Sequence, residues 1–341
     1  MGGRKQCVIA SYDYLDLDVY WNARLFYQSM GYRVRLGCSA SNADLLVVLR
    51  GSPREVDTGF RGVIHVYSYV GVPQEDCREH FPNAERIFLI SLVPPERLSP
   101  TVFYVEGYLP VIPGLWFTSL SKADEHGRPV HISNYKEIGG DRYQEELLQL
   151  ARSGDVDVYG SGWSRHGVNT GRISHWQANL LLARSPCCFG LMYPHQRGLT
   201  LSGRMWQAPL QGCYVITEQG TNIIRSPGVV EVGSFLESPF PHRMYPSSRE
   251  NLRREAAGFW IQATERLAHD LRLAQRESVP QRARTRGRIL ISRGEMLAMH
   301  LSARLSRELN GFRAWGKILL AKGGRLLRGA AASADDRTTG G

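Results

Sequence analysis

The stretch Gly198-Leu199-Thr200-Leu201-Ser202-Gly203-Arg204-Met205-Trp206-Gln207-Ala208 places small and hydroxyl-bearing residues ahead of an arginine, at what reads as the start of a helix. A helix start presents unpaired backbone N–H groups and the positive end of a dipole, which together suit phosphate. Arg204, one turn in, would add a charge-assisted hydrogen bond to such an anion. Thr200, Ser202, Gly203 and Gln207 are the other groups this stretch offers to a ligand. Gly212 closes the helix, and Tyr214-Val215-Ile216-Thr217-Glu218 follows as a buried strand. Glu218, at the end of that strand, is placed to accept from a hydroxyl. The run from Cys187 to Tyr193 reads as the strand before, so the whole is a β-α-β unit. Its right-handed crossover opens the loop at the carboxyl edge of the sheet, where ligands bind.

Other strand-end loops carry candidates as well. Ser133 and Asn134 end one apolar run, and Arg142 opens the helical pattern after it. Gly160-Ser161-Gly162-Trp163 ends the next run; its glycines allow close backbone approach, and its tryptophan is expected either to wall a ring or to pack in the core. Each candidate has a plainer alternative. Arg142 lies beside Asp141 and Glu145 and can make surface pairs. Ser133 and Asn134 also fit an ordinary turn. The histidines His65, His131, His166, His175 and His195 are scattered without metal-ligand spacing.

The elements that must position these groups alternate along the chain. Cys7–Ser11 reads as a short strand, Asp18–Met30 as a helix, and Tyr32–Leu36, Leu45–Leu49, Val63–Tyr69, Arg86–Val93 and Val102–Val105 as further strands. Strands interleaved with helices imply a mostly parallel, doubly wound sheet. The turn-rich stretch 113–128 marks a boundary. A second series begins at Val130–Ser133, with a helix from about Asp141 to Gly154, strands at 156–160, 187–193 and 229–235, and a long closing helix over Ser247–Arg276. The expected architecture is therefore α/β, with two Rossmann-like domains, 1–113 and 129–280, facing across a cleft. A basic helical segment, 281–329, and a disordered tail, 330–341, follow.

At 341 residues, with 43% hydrophobic content, the chain can bury two cores of ordinary size. No apolar run is long enough for a transmembrane helix, and the first residues lack the pattern of a signal peptide. None of the six cysteines forms a CxxC or zinc-like spacing, which predicts reduced core thiols of a cytoplasmic protein. The net charge is +10, and it is concentrated. Between Arg282 and Arg328, ten Arg and two Lys stand against Glu295 and Glu308, and the rest of the chain balances. Leu297, Leu301, Leu305 and Leu309 recur every fourth residue there, with Phe312 and Trp315 beyond. Such a segment suits the anionic inner face of a membrane, and equally suits packing on the protein body or on a partner. Nucleic acid is disfavoured, because no reading motif accompanies the charge.

The order His131-Ile132-Ser133-Asn134, Asp141-Arg142-Tyr143-Gln144-Glu145-Glu146-Leu147, Val156-Asp157-Val158-Tyr159-Gly160, Cys188-Phe189 and Leu201–Ala208 resembles the donor domain of the α1,3-fucosyltransferase family. The last stretch is also similar to CgeB-like bacterial glycosyltransferases. The resemblance covers roughly residues 130–220 and implies a GT-B-type glycosyltransferase in which Arg142 and Arg204 converge on the diphosphate of a nucleotide sugar. Such a site stabilises the leaving group with cations in place of a metal, so neither a cofactor nor an obligatory metal is expected. Gly190 and Gly203 replace acidic residues of the family pattern, so GDP-fucose does not follow as the donor.

An inverting transfer to a carbohydrate or lipid-linked acceptor needs a general base from the first domain. Asp13, in Ser11-Tyr12-Asp13-Tyr14, comes first, with Asp16 and Glu106 as the others. Surface polysaccharide or glycolipid assembly is the expected setting. The rival readings are a nucleotide-sugar epimerase or hydrolase on the same architecture, and a non-catalytic nucleotide-sugar-binding protein.

Overall fold

The computed structural model describes residues 5–10, 17–37, 40, 42–49, 59–67, 77–95, 97–115, 127–168, 171, 173, 175–237 and 246–277. The basic segment 281–329 and the tail lie outside them. The first half holds strands β1 (Gln6–Ala10), β2 (Arg33–Leu36), β3 (Leu45–Val48), β4 (Val63–Tyr67), β5 (Arg86–Ser91) and β6 (Val102–Glu106). Helix α1 (Leu17–Ser29) lies between β1 and β2, and the short α2 (Cys77–His80) between β4 and β5. All six strands are parallel, in the order β2-β1-β3-β4-β5-β6.

The second half repeats the plan. It holds β7 (Val130–Ile132), α3 (Arg142–Ser153), β8 (Asp157–Tyr159), α4 (His175–Arg184), β9 (Cys187–Gly190), α5 (Arg204–Leu210), β10 (Tyr214–Glu218) and β11 (Val229–Val232), followed by the long α6 (Pro246–Glu277). Its five parallel strands run in the order β11-β10-β9-β7-β8. Each sheet thus has a point where strand order reverses, between β1 and β3 in the first and between β7 and β9 in the second. Doubly wound sheets hold their ligand crevice at the carboxyl ends of the strands at such a point.

The near-continuous apolar runs of β1, β3, β4, β5 and β9 follow from burial on both faces, as parallel sheets require. One apolar cluster joins the halves: Ile9, Phe26 and Val47 share it with Met205, Trp206 and Leu210 of α5 and with Trp260, Leu267 and Leu271 of α6. The connection after β6 is clamped within it. Tyr108 Oη donates to Leu201 O at 2.9 Å, Thr264 Oγ1 donates to Val111 O at 2.9 Å, and Ile112 N donates to Asn22 Oδ1 at 2.7 Å. The start of α6 is anchored by Arg249, whose guanidinium is buried and donates to the carbonyls of Ala183, Arg184 and Ser185 at the end of α4, each at 3.0 Å.

Most expected elements are present, and the differences have local causes. β9 stops at Gly190 because the next backbone groups turn to side chains: Leu191 O accepts from Lys136, and Met192 N donates to Glu218 Oε1 at 2.7 Å. Helix α5 spans seven residues and contains Pro209, which has no N–H for the Met205 carbonyl; Ser226 Oγ donates to that carbonyl at 3.2 Å instead. Gly212, at φ 74°, then turns the chain into β10, and a Cβ there would stand 2.9 Å from Arg249 O. The five described cysteines are buried thiols. Among the described residues, no helix is long and apolar enough to cross a membrane.

Candidate functional site

The crevice between β7 and β9 is built from three loops. After β7, Ser133 N donates to Tyr159 O at 2.9 Å and Tyr135 N donates to Ser161 O at 2.8 Å. In return, Ser161 N donates to Asn134 Oδ1 at 2.9 Å, and Trp163 Nε1 donates to Ser133 O at 2.8 Å. The turns after β7 and β8 are thereby laced together. Gly160 makes this possible: at φ 145°, a Cβ on it would lie 2.1 Å from Ser133 O. Gly162, also at positive φ, sits under Tyr135. Ser133, Asn134, Gly160, Ser161 and Gly162 thus shape the crevice by holding one another. Trp163 takes the packing alternative, because it is fully buried with its ring edge-on to Tyr135 at 5.1 Å.

Lys136, an ordinary basic loop residue by its local sequence, crosses the crevice. Its ammonium donates to Leu191 O beyond β9 and lies 4.8 Å from the centroid of the Tyr193 ring. Burial lowers its pKa to about 8; Glu218 and Asp141 act to raise it, and Arg204 and Arg197 to lower it further. Arg204 opens α5, and its charge acts on both Lys136 and His131. His131 is buried and shares a 2.9 Å hydrogen bond between Nδ1 and Phe189 O. Burial, and next the Arg204 charge, hold its pKa at about 3, so it is neutral and no proton donor at ordinary pH.

Arg197 is a second such basic loop residue, with no motif around it. It lies in the loop between β9 and α5 and donates from Nη2 to Asp141 Oδ2 at 2.6 Å, Glu218 Oε1 at 3.2 Å and Met192 O at 3.3 Å. Asp141 is the N-cap of α3, and its other oxygen accepts from Gln144 N at 3.0 Å. One guanidinium therefore ties the N-terminus of α3 to the carboxyl ends of β9 and β10. Lys136, Arg197 and Arg204 stand against Asp141 and Glu218, which leaves one positive charge in excess beside the crevice. Such a site favours an anion.

Several expected placements are corrected. Arg142 has a side chain 64% exposed, and its Nε donates to Glu146 Oε1 at 2.6 Å. The buried Glu146 carboxylate also accepts from Ser234 Oγ and Phe235 N. Glu218 is no exposed acceptor. It is fully buried and accepts from Met192 N, Arg197 and the Thr217 hydroxyl; burial raises its pKa, and these partners draw it back down. At two turns α5 has a weak dipole, and Ser202 Oγ already accepts from Arg204 N at 3.3 Å.

The side chains of Lys136 and Arg204 therefore offer more positive charge here than the helix start does. Gly203 supplies carbonyl acceptors to Trp206 and Gln207, Thr200 is buried, and Gln207 is partly exposed. Glu106 ends β6 at the outer edge of its sheet, three strands beyond β3, away from that sheet's crevice. Asp13 and Asp16 lie outside the described residues.

No protein-family description matches the chain, and no curated protein matches it by sequence. Solved structures match by fold. A DNA-modifying β-glucosyltransferase, solved in the presence and absence of its substrate uridine diphosphoglucose, aligns with a TM-score of 0.53 at 11% identity, over 80% of this chain and 98% of its own. The fold is GT-B-like. AviGT4, a glycosyltransferase of avilamycin A biosynthesis, is similar at a TM-score of 0.47 and 12% identity, over 79% of this chain and 97% of its own. Anabaena HepE, solved with UDP and glucose, gives 0.47 and 11%, over 80% and 99%. The α1,3-fucosyltransferases and CgeB-like enzymes are not among these three.

Proposed function

We propose that the protein is a glycosyltransferase that binds a nucleotide sugar in the crevice between β7 and β9 and transfers its sugar to a carbohydrate or lipid-linked hydroxyl. The observation that carries this reading is the pair of cations, Lys136 and Arg204, at the point where strand order reverses. A diphosphate placed there would face both cations. As the bond from the anomeric carbon to the diphosphate oxygen breaks, the leaving group keeps the electron pair, and the two cations neutralise its charge. The acceptor oxygen attacks the anomeric carbon from the other side and gives its proton to a carboxylate of the first half, for which Asp13 is the candidate. That chemistry inverts the anomeric centre and uses no metal.

Since the matched β-glucosyltransferase is described with uridine diphosphoglucose, UDP-sugars are the first donors to test, ahead of GDP-fucose. Surface polysaccharide or glycolipid assembly is the setting we favour, with the basic stretch 282–328 contacting an anionic membrane face. The deciding assay incubates the full chain with nucleotide sugars and a lipid and oligosaccharide extract. Acceptor-dependent release of nucleoside diphosphate is expected. Turnover of donor without acceptor would point instead to a hydrolase or epimerase, and binding without turnover to a non-catalytic protein. Chelator is expected to leave the rate unchanged. Truncation near residue 280 is expected to abolish partitioning onto anionic vesicles, and unchanged partitioning would remove the membrane assignment.

A further inference from the structure

The buried ion cluster behind the crevice has no place in the reaction as described, since its charges face each other and not the space where a donor would lie. Asp141 from α3, Glu218 from β10 and Arg197 from the β9–α5 loop bond one another at 2.6 and 3.2 Å, and side-chain exposures of 4%, 0% and 21% keep them from solvent. Burying three charges is costly, and the cost falls only where each charge is paired and its remaining lone pairs are used. The carboxylates meet that condition, since Glu218 accepts from Met192 N and Thr217, and Asp141 from Gln144 N; the buried Nε of Arg197 has no partner among the described residues. Such a cluster is rigid, and it stands at the root of the two segments that Lys136 connects. The Lys136 ammonium is held by Leu191 O, one residue before the Met192 backbone that Glu218 and Arg197 grip from both sides.

We propose that the Glu218–Arg197–Asp141 cluster is a positioning device for Lys136, seating the ammonium across the crevice between β7 and β9 and keeping it charged. The inference rests on the reading of Lys136 as a donor-phosphate ligand. The groups facing Lys136 are Asp141 at the N-cap of α3, Glu218 from β10, Arg204 from α5, Arg197 and Tyr193 from the β9–α5 loop, and His131 from β7, which burial keeps neutral. Two carboxylates oppose two guanidinium groups, so the charge on Lys136 depends on both carboxylates being ionised. Glu218 acts on Lys136 more strongly than Asp141 does. The two carboxylates of the cluster thus oppose the loss of charge that burial and the neighbouring guanidinium groups favour in Lys136.

The test reads Lys136 directly in the full chain. There are five lysines, Lys5, Lys122, Lys136, Lys317 and Lys322, so each 13Cε-labelled side chain is assignable by NMR. In Glu218→Gln, the amide oxygen still accepts from Met192 N while the charge is gone, and the Lys136 titration is expected to move down in pH by about half a unit or more. The alkaline limit of kcat/KM should move with it, whereas a purely structural role for Glu218 would lower the rate without moving that limit.

Asp141→Asn, which keeps an N-cap acceptor, should shift the titration in the same direction by less, and it serves if Glu218→Gln does not fold. A Lys136 titration unmoved in the variant that folds would overturn the proposal. Adding UDP to the wild-type chain separates the two readings. A rise in the Lys136 titration on UDP addition supports phosphate contact. No response to UDP, together with a downward shift in Glu218→Gln, would retain the positioning device and reject the contact.

Discussion

The two sheets repeat one topology, yet their interiors differ in kind. Among the described residues, the fully buried polar side chains of the first half are uncharged, namely Asn22, Ser91, and His65 with the Tyr27 and Tyr67 hydroxyls, and its partly buried Arg86 pairs with the exposed Glu85. Tyr27 Oη lies 2.8 Å from both His65 Nδ1 and Tyr67 Oη, and burial holds the His65 pKa at about 3. That network satisfies its own hydrogen bonds and carries no charge that a ligand could answer. The second half buries Asp141, Glu146, Glu218 and Arg249, and partly buries Lys136 and Arg197. A buried charge persists only where it is paired. The lesson is that the doubly wound sheet sets where a crevice opens, and the local charge decides which crevice attracts an anion.

That contrast can be broken by substitution. Arg204→Met is expected to lower kcat/KM by about 100-fold or more, the loss typical of removing one group that stabilises a developing negative charge. His65→Gln, in the neutral network, should lower the melting temperature yet leave donor affinity unchanged. Equal effects of the two on donor affinity would erase the contrast. Gly160→Ala comes next. Its Cβ would meet Ser133 O at 2.1 Å, so urea unfolding should show a loss of about 2–3 kcal/mol as the turns after β7 and β8 separate. Wild-type stability in that variant would mean that the lacing of the two turns is not needed.

The pH response sharpens the comparison, because Lys136 of the second half has its pKa lowered to about 8 beside the crevice. Donor affinity should fall by up to about tenfold per pH unit above pH 8, as Lys136 loses its proton. The stability of the ligand-free protein should move the other way. The Lys136 pKa is lowered from 10.5 to about 8 on folding, so between these values the unfolded chain binds more protons. The contribution of this group to stability therefore rises with pH across that window and is level outside it. The smallest effect is expected from Arg142→Ala. The arginine is exposed, and Glu146 keeps its bonds to Ser234 and Phe235, so donor affinity should change by less than about threefold. A loss as large as that of Arg204→Met would return Arg142 to the site.

The fold was readable because its physics is periodic and local. Buried parallel strands write themselves as apolar runs such as Leu45–Val48 and Cys187–Gly190, and Gly154 and Gly212 punctuate the ends of α3 and α5. The site was only half readable, for a different reason. Lys136 and Arg197 are ordinary basic residues of two loops 61 positions apart, and nothing local says that the loops meet. They meet because β7 and β9 are neighbours while β8 lies outside them, a fact of strand order that no spacing encodes. Arg142 failed for the converse reason. Its position along the chain matches a family pattern, but its guanidinium is engaged by Glu146, one turn on, and is otherwise exposed. Glu218 likewise stands at a strand end, where exposure is the common outcome, until Arg197 and Met192 close over it.

The most direct test of the account is calorimetric titration of UDP, and then of UDP- and GDP-sugars, into the full chain and into Lys136→Met, Arg204→Met and His65→Gln. The account predicts one nucleoside diphosphate site, weakened by about tenfold or more in each of the first two variants and unchanged in the third. Nucleotide binding that survives both Lys136→Met and Arg204→Met within about twofold would contradict it.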